Sequence, residues 1–100
     1  MVKPELTFIC KIKEIFDLEV FSSGVKKRSI NAMVLHRRKV EIFEISFYNK
    51  YVTEVDKLNK TGIFKIECII RSEVFEDKKT EKNTYFTHII GLTTIKIGNT

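Results

Sequence analysis

Residues 40–62 read VEIFEISFYNKYVTEVDKLNKTG, and the hydrophobic period changes inside them. From Val40 to Tyr48, Phe43, Ile45 and Phe47 alternate with Ile42, Glu44, Ser46 and Tyr48. That two-residue period is a strand with one face turned to a core. From Lys50 to Asn59, Tyr51, Val52, Val55 and Leu58 fall at i, i+1, i+4 and i+7, which is one face of a short helix. Asn49 is a good N-cap residue, and Asn59-Lys60-Thr61-Gly62 is a closing turn. A strand therefore runs straight into a short helix.

On both sides of this stretch the two-residue period dominates. Leu6, Phe8, Cys10 and Ile12 mark strand 1; the phase slips near Glu14, where Ile15 and Phe16 are adjacent, which a bulge or a sharp bend would explain. Residues 21–28 read as a loop. Strand 2 runs from Arg28 to His36, with Ile30, Ala32 and Val34 inward, and Arg37-Arg38-Lys39 is a basic turn into strand 3. Strand 4 runs from Ile63 to Phe75, with Phe64, Ile66, Cys68 and Ile70 inward and Ile63, Lys65, Glu67, Ile69 and Arg71 outward. Residues 76–84 carry no apolar side chain and read as a solvated hairpin loop. Strand 5 runs from Tyr85 to Ile97, bent at Gly91. This order predicts an all-β fold: a five-stranded antiparallel OB barrel with one short helix between strands 3 and 4, as a single domain over residues 1–100. Strand 1 then pairs with strand 4, which would bring Cys10 and Cys68 near one another.

Composition narrows the classes. Hydrophobic residues make up 43% and charged residues 31%, which suits a globular chain with one core. Two cysteines with no C-x-x-C pair, and His36 and His88 far apart, argue against a disulfide framework and against a metal site. No cofactor motif, phosphate-cradling glycine loop or nucleophile–base constellation is present, so an enzyme is not expected. The N-terminus has no apolar run of a signal peptide and no apolar stretch is long enough to span a bilayer. The expected location is the cytoplasm, the host's if the protein is viral, with no membrane partner. The net charge of +5 fits a polyanionic partner.

The segment from Glu41 to Ile90 resembles single-stranded DNA-binding proteins of the bacterial and phage type. The resemblance is carried by Phe47-Tyr48-Asn49-Lys50, the helix to Lys60-Thr61-Gly62, Ile69-Ile70-Arg71-Ser72-Glu73-Val74-Phe75, a polar loop, and Tyr85-Phe86-Thr87. Ser23-Gly24-Val25-Lys26-Lys27-Arg28 resembles the loop entering strand 2 in small members. The resemblance implies that Tyr48 and Phe75 stack on bases. Two departures stand out: there is no tryptophan, and the sequence ends Lys96-Ile97-Gly98-Asn99-Thr100 without an acidic run.

Binding single strands without sequence preference needs cations along the phosphates and π faces for the bases. The candidate rings are Tyr48, Phe75 and Tyr85. The candidate cations are Lys26, Lys27 and Arg28, then Arg37 and Arg38, with Lys50 and Arg71 extending the path. The competing explanation is that the rings cap a barrel edge or fill a dimer interface, and that the cations are an ordinary solvated surface. Phe86 has no assigned face, because strand 5 could take either register. The expected partner is single-stranded DNA, with RNA as a second ligand using the same groups, in replication or recombination. Outward apolar residues (Met33, Leu35, Ile42, Ile63, Ile69) point to a homo-oligomer. The alternative function is an OB module that binds another protein and no nucleic acid.

Overall fold

Five strands closing into a ring cannot all alternate in direction, because an odd ring leaves one neighbouring pair parallel. The computed structural model shows where that pair falls. It describes residues 2–99; Met1 and Thr100, the ends of the expected 1–100 domain, lie outside the described residues. The elements are β1 (Leu6–Ile15), β2 (Glu19–Val20), β3 (Lys26–His36), β4 (Lys39–Tyr48), a 3-10 helix (Asn49–Lys57), β5 (Gly62–Asp77) and β6 (Lys82–Asn99). Strands 1 to 5 of the sequence reading are β1, β3, β4, β5 and β6. Neighbours run β1-β5-β6-β4-β3, and β1 pairs again with β3 to close the OB barrel. Four contacts of the ring are antiparallel; β4 and β6 run parallel, with Ile45 opposite Ile89 and Ser46 opposite Ile90. The expected wholly antiparallel barrel is corrected to a mixed one by that parity.

β1 serves two neighbours. Its first half pairs with β5, from Leu6 opposite Cys68 to Cys10 opposite Phe64, and its second half with β3. The register slips between Ile12 and Glu14, near the phase slip of the sequence, which lets the strand coil from one neighbour to the other. In this register Cys68 faces Leu6 and Cys10 faces Phe64, so the two thiols are not cross-strand partners, yet they lie near one another in the core as expected, close enough for Cys10 to be one of the causes that raise the Cys68 thiol. Both are buried and free.

Eighteen of the described residues are buried, and Phe47, Phe64, Ile12, Ile30, Ile45 and Ile66 are the largest sealed from water. Each such side chain contributes about 1.5–3 kcal/mol of burial. Val55 and Leu58 plug one end of the barrel, as the helical spacing predicted. The helix is 3-10, and its N-cap is Tyr48 with no side-chain bond. Asn49 takes φ +52 as the first helical residue, and its Oδ1 accepts the Lys26 N–H at 3.2 Å. It extends the β3–β4 ladder rather than capping, which corrects the N-cap expectation. The helix is tied to β6 through Glu54, whose Oε1 accepts the Thr94 N–H at 2.9 Å and whose carbonyl accepts the Thr94 hydroxyl at 3.0 Å. Asn59 Oδ1 builds the next turn, accepting the N–H groups of Thr61 and Gly62.

Other boundaries move. β3 begins at Lys26, because Glu19–Val20 pairs with Lys27 and Lys26 and shortens the expected 21–28 loop. β5 and β6 reach Asp77 and Lys82, so the expected 76–84 loop is mostly ladder with a turn over 78–81. Ile70, expected inside, is 43% exposed, and Ile69, expected outside, is buried. β1 begins opposite Cys68, so no residue of β1 pairs with Ile70 and its side chain is left partly open. Beyond it β5 and β6 continue as a two-stranded arm whose residues 70–87 are all exposed.

Candidate nucleic-acid interface

The parallel β4–β6 pair sets which candidates lie together. Reading back along both strands from Ile45 and Ile89 leads to the β3–β4 turn and to the arm, so both hairpins project from one end of the barrel. Reading forward from Ile45 leads to Tyr48 and the 3-10 helix at the opposite end. Arg37, Arg38, Arg71, Phe75 and Tyr85 therefore belong to the hairpin end. Tyr48, Lys26, Lys27, Arg28 and Lys50 belong to the helix end. The ten residues span the two ends, about 33 Å apart along β3.

At the hairpin end, the β3–β4 connection is a two-residue turn with Arg37 at φ +50 and Arg38 at φ +68. Asparagine and glycine are the usual residues there, since left-handed backbone costs other residues about 1 kcal/mol or more each. Both arginines are exposed and make no ion pair among the described residues. A strained turn carrying two unpaired guanidinium groups is a feature stability alone does not favour.

The arm's register decides which rings share a face. Phe75 is opposite Thr84, Val74 opposite Tyr85 and Glu73 opposite Phe86. Paired residues share a face and successive ones alternate. Arg71, Glu73, Phe75, Phe86 and His88 thus line one face, and Val74 and Tyr85 the other. The rings of Phe75 and Phe86 meet edge to face at 5.3 Å, and His88 Nε2 is 3.2 Å from Glu73 Oε1. Phe75 is 55% exposed and Phe86 47%. Tyr85, at 66%, is more open but stands on the opposite face from Phe75. Phe86 is the ring the sequence left unassigned; the turn at 78–81, once located, puts it beside Phe75.

At the helix end, Tyr48 pairs with Lys27 on the barrel's outer face, and Tyr48 is half-buried. Lys26 is exposed. Arg28 is turned the other way, toward the helix: its Nη1 is 3.2 Å from Asp56 Oδ1, and its Nε donates to the Phe16 carbonyl at 3.0 Å. Lys50 Nζ lies 5.2 Å over the Tyr51 ring. Arg71 is also engaged, 3.0 Å from Glu5 Oε1. Arg28 and Arg71 are thus neutralised within the chain, while Lys26, Lys27, Arg37 and Arg38 are not paired among the described residues.

Between the ends, the outer face of β3 and β4 is apolar near the hairpins. Met33 opposes Ile42 and Leu35 opposes Val40. Met33, Leu35 and Val40, with Ile9, Lys11 and Ile63, border a shallow hollow of about 310 Å³. No group of three His, Cys, Asp or Glu side chains among the described residues could hold a metal ion.

This architecture has close counterparts among solved structures. The mitochondrial single-stranded DNA-binding protein Rim1 of S. cerevisiae superposes with a TM-score of 0.69 at 11% identity, covering 99% of this chain and 100% of that one. The chain has the fold of that protein. A Plasmodium falciparum SSB in complex with ssDNA superposes with a TM-score of 0.65 at 15% identity, covering 97% of this chain and 96% of that one. No family model and no curated relative matches the sequence. The likeness is one of backbone geometry.

Proposed function

We propose that this chain binds single-stranded DNA without sequence preference, protecting it during replication or recombination. The observation that carries the reading is the exposed Phe75–Phe86 pair on an arm that projects from the same barrel end as the unpaired Arg37–Arg38 turn. Rings of this kind accept any base, each worth about 1–3 kcal/mol, and the cations take phosphates. Lys26, Lys27, Tyr48 and Lys50 continue the path at the far end. The solved neighbours support the reading, since both are described as single-stranded DNA-binding proteins. The chain acts as a single domain in the cytoplasm and performs no chemistry on its ligand.

Self-association belongs to the same proposal. The hollow bordered by Ile9, Met33, Leu35, Val40 and Ile63 is apolar, and Leu35 is 73% exposed. Leaving it in water costs about 25 cal/mol per Å², so a second copy is its occupant. Light scattering on wild type and Leu35→Lys separates an oligomer from a monomer.

Fluorescence anisotropy with labelled single-stranded DNA, duplex DNA and RNA at several salt concentrations tests the binding. Preference for single strands over duplex is expected, because paired bases cannot reach the rings. Equal affinity for single strands and duplex at physiological salt would overturn the reading; stronger binding to RNA than to DNA would change the ligand.

A further inference from the structure

The root of the arm holds an anion seat that the chain fills itself. β1 begins at Leu6, opposite Cys68, and Glu5 just before it adds one more backbone bond, its N–H donating to the Cys68 carbonyl at 2.9 Å. The next donor along that edge of β5, the Ile70 N–H, has no strand beside it. Glu5 Oε1 accepts that N–H at 2.9 Å and accepts Arg71 Nη1 at 3.0 Å. One oxygen thus receives a backbone amide and a guanidinium, a donor set equally suited to a phosphate oxygen. The Ile70 N–H is the chief cause that holds the Glu5 carboxyl below its ordinary range; desolvation opposes it, and the hydrogen bond and charge of Arg71 add to it.

Two observations make this an exchangeable contact. The pair is open to solvent, with side-chain exposures of 49% for Glu5 and 52% for Arg71. Exposed pairs of this kind are worth little and are readily exchanged. Arg71 also shares a face with the stacking rings: Arg71, Glu73 and Phe75 alternate onto one face of the arm, and Phe86 stands opposite Glu73 on it. Arg71 and Phe75 are about 13 Å apart along the strand. An anion seated at Arg71 therefore lies on the surface where the proposed bases stack.

We propose that the Ile70 N–H and Arg71 form a phosphate-binding subsite for the single strand, and that Glu5 is an internal competitor that the backbone phosphate displaces. The inference rests on the single-strand reading above. Glu5 then lowers affinity in the free protein and raises the contrast between a strand that reaches the arm's outer face and one that does not.

Glu5→Gln keeps an acceptor for the amide and removes the competing charge. In anisotropy titrations with labelled single-stranded DNA, Glu5→Gln should bind about two- to fivefold tighter than wild type at low salt. Its plot of log affinity against log salt should be steeper by about 0.7, the signature of one more phosphate contact. Adding Arg71→Ala should abolish both gains. Independently of DNA, inorganic phosphate should shift the Ile70 amide resonance saturably in Glu5→Gln and only weakly in wild type. Glu5→Ala serves as the second variant, with a dispersed amide spectrum as the control for folding. Unchanged or weaker DNA binding with an unchanged slope, and an Ile70 amide indifferent to phosphate, would make Glu5 a latch for the arm and overturn the proposal. If wild type binds no single strand but the amide responds, the seat stands and the single-strand reading fails.

Discussion

Gly91 lies against the Phe47 ring so closely that a Cβ there would fall 2.2 Å from the ring's Cε1. Both residues are buried, each just past the two parallel pairs that close β4 onto β6. The absence of a side chain at position 91 is what admits a phenylalanine at the seam.

Gly91→Ala should accordingly be destabilising by overpacking, by about 1–3 kcal/mol, since Phe47 has no exposed direction in which to move. In a domain of this size that is a fall in Tm of at least about 4 °C. Differential scanning calorimetry checks it, and Phe47→Leu in the same chain should recover part of the loss. A neutral Gly91→Ala would mean that the seam is looser than its geometry indicates.

The Arg37–Arg38 turn predicts opposite movements of stability and binding. Arg37→Asn/Arg38→Gly supplies residues suited to the left-handed backbone and should raise Tm, by about 1 kcal/mol or more in stability. The same change should weaken single-strand binding and flatten its salt slope by about 1.4, two phosphate contacts at 0.7 each. Both quantities come from one purified variant, by thermal denaturation and anisotropy.

The arm's register predicts which rings act together. Phe75→Ala and Phe86→Ala should each reduce affinity by about 1–3 kcal/mol with little change in salt slope. Their effects should be non-additive, because each removes the other's edge-to-face partner, worth about 0.5–1.5 kcal/mol. Phe75→Ala and Tyr85→Ala should add, since those rings stand on opposite faces. A double-mutant cycle with coupling between Phe75 and Tyr85 instead would contradict the register.

Arg28 and Lys27 are sequence neighbours with different expected phenotypes. Arg28→Ala breaks the bonds to Asp56 and the Phe16 carbonyl and should lower Tm while leaving the salt slope unchanged. Lys27→Ala should leave Tm within about 0.5 kcal/mol of wild type and flatten the slope.

The thiols set an alkaline limit. Burial pushes Cys10 from 9.0 up to about 11, and burial likewise pushes Cys68 up to about 12. The unfolded chain releases both protons near pH 9 while the folded chain keeps them, so unfolding releases protons in that window. Stability should fall as pH rises from 9, by about 1.4 kcal/mol per pH unit per thiol, until pH passes 11 for Cys10 and 12 for Cys68. Urea denaturation at several pH values checks this, with Cys10→Ala/Cys68→Ala lacking that part of the slope. A thiol reagent at neutral pH should label the native protein only at the rate of unfolding.

The local readings that succeeded depend on period and turn chemistry, which neighbouring residues set between themselves. The alternation through Phe43, Ile45 and Phe47, the helical spacing of Val55 and Leu58 and the phase slip before Glu14 are all of this kind, and all appear in the barrel. Arg28 was legible as a cation, but its pairing with Asp56 depends on a helix 28 residues away in sequence. Asn49 had the chemistry of a cap, yet the Lys26 amide claimed its side chain.

By itself, the sequence determined the order of the five long strands and the helix (though not the two-residue β2), the inward set from Ile12 to Ile66, and the basic turn at Arg37-Arg38, because each follows from side-chain period or from residues adjacent in the chain. Only the tertiary structure decided the parallel seam at Ile45–Ile89, the pairing of Phe75 with Phe86, the split of the candidate site between two barrel ends, and the seating of Glu5 at Arg71. Those depend on register and closure. Register is a property of two strands at once, and a shift of one residue would turn Phe86 to the other face without changing the alternation in either strand.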